Sequence, residues 1–224
     1  MPSMAQQPAL ARRERERDLV RATRALFDER GMQDAPIEEI ARAVGIARGL
    51  IYRHFSSKEE LYVLTVTDYL SELEDLLGEA ASAELEPVAQ LEAWAQAYVG
   101  FCLRYPAFLD CALSLMHRPA RELREALSDS VWLRLGQSIA SCVVHVSEIL
   151  REGARDGTFS VEDPDYMANV LWTQILGATH LARIRVGVRQ VAPGIAELFS
   201  VEPDQVARTC VASALATVQA RPPS

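Results

Sequence analysis

The stretch from Ile37 to Leu61, IEEIARAVGIARGLIYRHFSSKEEL, constrains this chain more than any other. Ile37, Ile40, Ala41 and Val44 recur at the spacing of a helix that buries one face. Gly45 follows, a residue able to take the positive φ that closes a tight turn. Ile46, then Leu50 or Ile51, and Phe55 supply the buried side of a second short helix. Ser56 and Ser57 stand three residues ahead of Glu59 and Glu60, the spacing at which a serine and a glutamate cap a helix start. A fourth helix is therefore expected from about Lys58 to Glu79, after one over Arg12–Arg30 whose apolar stripe is Leu19, Ala22, Ala25, Leu26 and Phe27. Gly31 is placed to end that first helix, and Asp34 to cap the second beside Pro36.

Such an arrangement fits a helix-turn-helix. Ala41 is the small residue at the helix crossing, Gly45 lies four positions later and Ile51 six beyond it, with Ile40 and Ile46 filling the wedge. A motif of this kind presents the N-terminal end of its second helix to base edges in a major groove.

Charge supports the division this implies. Residues 1–58 carry eleven Lys/Arg against eight Asp/Glu, while the remainder carries twelve against twenty-three, giving a net charge of −8 overall. A mildly basic head on an acidic body is the footprint of a protein in which only the head meets nucleic acid. Lys58 is the one lysine in the sequence.

Residues 1–11 read as a flexible tail, 12–58 as the helix-turn-helix head, and 59–224 as a larger helical body. Further helices are expected near 87–104, 106–117, 119–153, 163–187 and 203–220, punctuated by Pro87, Pro106, Pro119, Gly157, Pro164, Pro193-Gly194 and Pro203. No run of period-two alternation stands out, so the fold class is all-α throughout. Apolar runs are too short for a membrane span and the N-terminus lacks the apolar core of a secretory signal, so a cytoplasmic protein is expected. Cys102, Cys111, Cys142 and Cys210 lack metal-ligand spacing and read as small core residues. No nucleophile–base pair, HExxH or GxGxxG is present, and His117, His145 and His180 are far apart; no catalytic residue, metal or cofactor is assigned.

The head resembles the DNA-binding head of the TetR family of transcriptional regulators. The matching residues are Ala25-Leu26-Phe27, Gly31, Ile37, Ile40-Ala41, Gly45-Ile46, Gly49, Tyr52, His54-Phe55, Ser57-Lys58-Glu59 and Leu61, about 50 residues in order. The resemblance implies that Arg48 and Gly49 open the recognition helix, with Ala47 a candidate contact beside them, that Tyr52 and His54 meet DNA backbone or bases, and that Lys58 grips a phosphate. Arg42 and Arg53 are further candidate contacts. The family often has Ser or Thr where this chain has Pro36, Ala47 and Leu50; each departure removes a hydroxyl and shifts the burden onto Arg42, Arg48, Tyr52, Arg53 and Lys58.

The resemblance also implies a body that binds a small effector and pairs two chains. Candidate ligand-binding residues are Trp94, Tyr98, Phe101, Tyr105, Phe108, Met116, His117, Trp132, His145 and Trp172, with Cys102, Leu113 and Thr179 beside them. They suggest an apolar or aromatic effector. Ala168, Gly177, Ala178 and Ala182, with Ala207, Val211, Ala214, Leu215 and Val218, offer the small and apolar faces of a four-helix homodimer interface. The expected function is a homodimeric repressor, released from a pseudo-palindromic double-stranded DNA operator by the effector. A helical ligand-binding protein that ignores DNA, and an all-helical enzyme, remain as alternatives.

Overall fold

A computed structural model describes residues 7–30, 36–81 and 85–219. Ten helices and one β-hairpin are found among them: α1 (Gln7–Arg30), α2 (Ile37–Val44), α3 (Arg48–His54), α4 (Lys58–Ala80), α5 (Pro87–Arg104), α6 (Pro106–Met116), α7 (Ala120–Ala126), α8 (Asp129–Asp156), α9 (Pro164–Ile184), β1 (Val186–Ala192), β2 (Ile195–Ser200) and α10 (Pro203–Gln219). The fold is helical, as the periodicity predicts. α1 begins five residues before the expected Arg12, so the predicted tail is helical from Gln7; its residues 1–6, and the predicted caps Gly31 and Asp34, lie outside the described residues.

The described chain divides into two compact units. The first takes in residues up to Ser71 together with Asp110–Ser138, and contains the whole predicted head. Its head core is Leu19, Val20, Ile37, Ile40, Ala41, Ile51, Phe55 and Leu61, all buried, with Leu26, Val44, Ile46 and Leu64 at its edge. The stripe on α1 is rotated from the expected one. Ala25 is exposed, whereas Thr23 is fully buried, because its hydroxyl donates to the Leu19 carbonyl at 2.8 Å and so enters the core with its polarity satisfied.

A single helix expected over 119–153 is instead α7 and α8, broken at Leu127-Ser128. No glycine or proline marks the break. Leu127 turns extended (φ −118°, ψ 148°) and is buried, and the Ser128 amide donates to Glu60 Oε1 at 2.9 Å. A tertiary acceptor has replaced a helical one.

In the second unit, Glu72–Leu109 with Ile139–Ser224, α5, α9 and α10 pack against one another. Leu91, Trp94, Tyr98, Val99, Leu171, Ile175, Ala214 and Val218 lie in its interior. The hairpin departs from the all-helical expectation. Arg185 closes α9 in the left-handed region (φ 56°), and the chain then pairs Val188 with Leu198 and Arg189 with Glu197 before re-entering α10. Gly194 (φ 76°) turns the hairpin. One face carries the Phe199 ring lying over Gly187 and the Arg189–Glu197 ion pair. The other bears Val186, Val188 and Leu198, the last two more than two-thirds exposed. Among the described residues no single helix is long and apolar enough to cross a membrane.

Candidate nucleic-acid interface

The turn between α2 and α3 is built as its residues require. Gly45 adopts φ 72° and ψ 34°, its amide bonding back to the Arg42 carbonyl at 3.1 Å, while Ile46 N–H reaches the Ala41 carbonyl at 2.9 Å. A side chain at Gly45 would be strained in this left-handed conformation. Ile51 and Phe55 point inward from α3 at 1% and 2% exposure, which turns Tyr52, at 44%, outward. The alternatives Leu50 and Ile51 are thereby resolved: Ile51 is the core residue and Leu50 is half-buried.

Seven of the eight predicted DNA contacts, Arg42, Ala47, Arg48, Gly49, Tyr52, Arg53 and Lys58, are exposed. The structure places His54 differently. Its side chain is half-buried, with Nδ1 enclosed, without a hydrogen-bond partner and 3.9 Å from Glu16 Oε1. Arg48 lies over the Tyr52 ring (5.8 Å to the centroid) and pairs with Glu38 at 2.6 Å. The Tyr52 hydroxyl, then the Glu38 charge, hold its guanidinium in the charged form. A cavity of about 620 Å³ beside α3 adds Arg12, Arg13 and Arg134 to Arg53, against Glu16 and Glu60, and so extends positive potential along this side of the unit.

The missing hydroxyls have visible consequences. Pro36 and Ala47 occupy the N-cap positions of α2 and α3 in extended conformation, and neither offers a side-chain cap. The start of α4 contrasts with them. Ser57 Oγ accepts from Glu60 N–H at 3.1 Å, and Glu60 Oε2 accepts from Ser56 N–H at 2.9 Å. Burial alone would raise the Glu60 pKa, but the hydrogen bonds from Ser128 and Ser56 outweigh it and hold the carboxyl below its ordinary range. Lys58 stands exposed in the first turn of this helix.

Residues 19–64 match the model of a family described as bacterial regulatory proteins, tetR family, which spans the buried head core and the glycine turn together. The segment that carries the helix-turn-helix is thus similar to the tetR family. Over 90 residues it is 36% identical to the HTH-type transcriptional regulator BetI of Cronobacter sakazakii, a match covering 40% of this chain and 40% of that protein. It is 32% identical over 92 residues to the HTH-type transcriptional activator FasR of Mycolicibacterium smegmatis, covering 41% and 42%. The chain thus matches about two fifths of the length of these relatives. The fold extends further: a crystal structure of RolR in complex with resorcinol aligns with a TM-score of 0.66 over 94% of this chain and 90% of that one, at 18% identity.

The ring residues expected to line a ligand site in the body are brought together only in part. Trp94, Tyr98 and Trp172 form one cluster, with Trp94 and Tyr98 at 5.7 Å and Tyr98 stacked on Trp172 at 4.2 Å. Phe101 contacts both Tyr105 (4.8 Å) and Phe108 (5.1 Å), and the Tyr105 hydroxyl donates to Glu72 at 2.7 Å. His145 is half-buried in the same unit, against α4 at Gly78. Met116, His117 and Trp132 belong to the first unit instead. Met116 is half-exposed and His117 is exposed, its Nδ1 2.7 Å from the Leu113 carbonyl. Among the described residues no three His, Cys, Asp or Glu side chains gather as a metal site requires.

The small-residue stripes expected at a dimer interface are consumed inside the chain only in part. Ala168, Ala182, Ala214 and Val218 are buried, Ala178, Ala207, Val211 and Leu215 half-buried, and Gly177 exposed. Gly177 lies on a bare face of α9 with Thr173, Gln174, His180, Leu181 and Ile184, and Gln205, Arg208, Thr209, Ala212 and Ala216 follow one bare face of α10.

Proposed function

We propose that this chain is a DNA-binding transcriptional repressor that acts as a cytoplasmic homodimer and is released from its operator by a small apolar or aromatic effector. The observation that carries the reading is the exposed set Arg42, Arg48, Tyr52, Arg53 and Lys58 on a head whose apolar residues Ile37, Ile40, Ile51 and Phe55 are turned into its core. Docked through the start of α3, the set would place Arg48 at base edges and Lys58 at a phosphate. Glu38 must give up Arg48 when DNA arrives, so binding exchanges a solvent-exposed ion pair for a contact with DNA.

Two such heads on a two-fold axis would read a pseudo-palindrome. The bare faces of α9 and α10, Gly177 among them, support a four-helix contact between copies. The buried ring cluster of α5 and α9 supports an aromatic effector, and RolR, of the same fold, is described with resorcinol bound. Effector binding would act on the DNA affinity through α4, and a coupling of about 1–3 kcal/mol suffices for a switch.

Gel-shift titration with DNA flanking the chain's own gene tests this reading. A salt-sensitive complex is expected. Arg48→Ala should relax base preference, and Lys58→Ala should weaken all sequences alike while lowering the salt slope by about one. Absence of any complex at low salt refutes the proposal.

A further inference from the structure

We propose that the ring cluster of α5 and α9 takes an uncharged aromatic molecule bearing an acceptor oxygen, which receives the hydrogen bonds of Trp94 Nε1–H and Tyr98 Oη–H. This rests on the body being an effector-binding unit and specifies the chemistry of the effector.

Trp94 and Tyr98 lie one turn apart on α5, both fully buried. Neither the indole nitrogen nor the phenol oxygen has a hydrogen-bond partner. Buried donors are almost always matched, because an unmatched one has lost water and gained nothing. Two unmatched donors on successive turns, in one aromatic cluster, are therefore arranged for an acceptor that arrives after folding. The indole N–H can only donate, so the missing group must accept.

The surroundings decide the rest of the ligand. The Thr179 hydroxyl is committed to the carbonyls of Ile175 and Leu176. Burial pushes the Cys102 and Cys142 thiols up to about 12, leaving them neutral, and after burial these two thiols are the groups that bear on the Tyr98 hydroxyl. No cation is among them, so a carboxylate entering here would lose its hydration without a counter-charge. The rings of Trp94, Tyr98 and Trp172 make the surroundings of the two donors aromatic, which favours a planar ring over a branched aliphatic chain. An aryl ketone or aryl ether satisfies all of these conditions.

The test is calorimetric titration of the full chain with acetophenone, ethylbenzene and benzoate, which share one ring and differ at the acceptor. Acetophenone should bind about tenfold or more tighter than ethylbenzene, since two donors gain an acceptor, and benzoate should bind no better than ethylbenzene. Tyr98→Phe should weaken acetophenone several-fold while leaving ethylbenzene unchanged. The same substitution should raise the melting temperature of the ligand-free protein by about 3 °C, because an unmatched hydroxyl has been removed. Trp94→Phe, checked for helicity by circular dichroism, should weaken acetophenone likewise. The inference falls if ethylbenzene binds as tightly as acetophenone, if none of the three binds, or if Tyr98→Phe lowers the melting temperature and leaves acetophenone affinity intact. Gel shifts on the same preparation separate the two readings: a DNA complex without acetophenone binding overturns this inference alone, and acetophenone binding without a DNA complex overturns only the regulator.

Discussion

Replacing Glu60 by alanine removes a carboxylate that serves two separate backbone amides. Its Oε2 accepts from Ser56 at the start of α4, and its Oε1 accepts from Ser128 at the break between α7 and α8, each at 2.9 Å. Glu60 is only 5% exposed, so solvent cannot replace either bond at small cost. Hydrogen bonds to a charged group contribute about 1.5–3 kcal/mol each. The alanine variant, which strands both donors, should lose about 3–5 kcal/mol, and Glu60→Gln, which keeps one acceptor oxygen, about half of that. Urea unfolding followed by circular dichroism measures both.

The pH dependence supplies an independent check. The folded-state pKa of Glu60 is lowered, so its contribution is fully present above the unfolded value of about 4.3 and is lost as pH falls below that value through the lower folded one. The stability gap between wild type and Glu60→Gln should therefore be constant from pH 7 to about pH 5 and shrink at more acid pH. A gap that is unchanged at pH 3, or an alanine variant within about 0.5 kcal/mol of wild type, would refute the assignment of these two bonds.

Ala47→Ser should supply the absent N-cap of α3 and stabilise the chain by about 0.5–1 kcal/mol, seen as a higher thermal midpoint. Gly153→Ala should destabilise by about 1–3 kcal/mol, because the added Cβ would stand 2.2 Å from the buried Phe159 ring; urea unfolding reads the loss. All four cysteines are buried, with burial raising each thiol and holding Cys102, Cys111 and Cys142 at about 12. Thiol reagents at pH 8 should leave them untouched until denaturant is added, and rapid native labelling would contradict this burial.

The head was the legible part of the fold. Its contacts are local, so spacing alone assigns Ile37, Ile40, Ala41, Gly45 and Phe55, and the structure places each where the pattern requires. Serine and glutamate at α4 were legible for the same reason, although the second use of Glu60, toward Ser128, was not. The hairpin left a local signal: Val186, Val188 and Val191 are β-branched and precede Pro193-Gly194, a turn pair. It was masked because neither face is buried within the chain, so no clean alternation of apolar and polar residues was imposed.

By itself the sequence determined the helical class, the glycine turn and the outward residues of α3, since all three depend on neighbours within a few turns. Tertiary structure decided which apolar residues are consumed inside the chain. Ala168 and Ala214 went to the interior while Leu181 and Ile184 stayed bare, a choice made by how α5, α9 and α10 meet rather than by residue type. It also turned His54 inward, parted α7 from α8, and left Trp94 and Tyr98 with two donors and no acceptor. Each of these depends on which distant group fills the space beside a side chain or a backbone amide. Periodicity along a single chain carries no information about that.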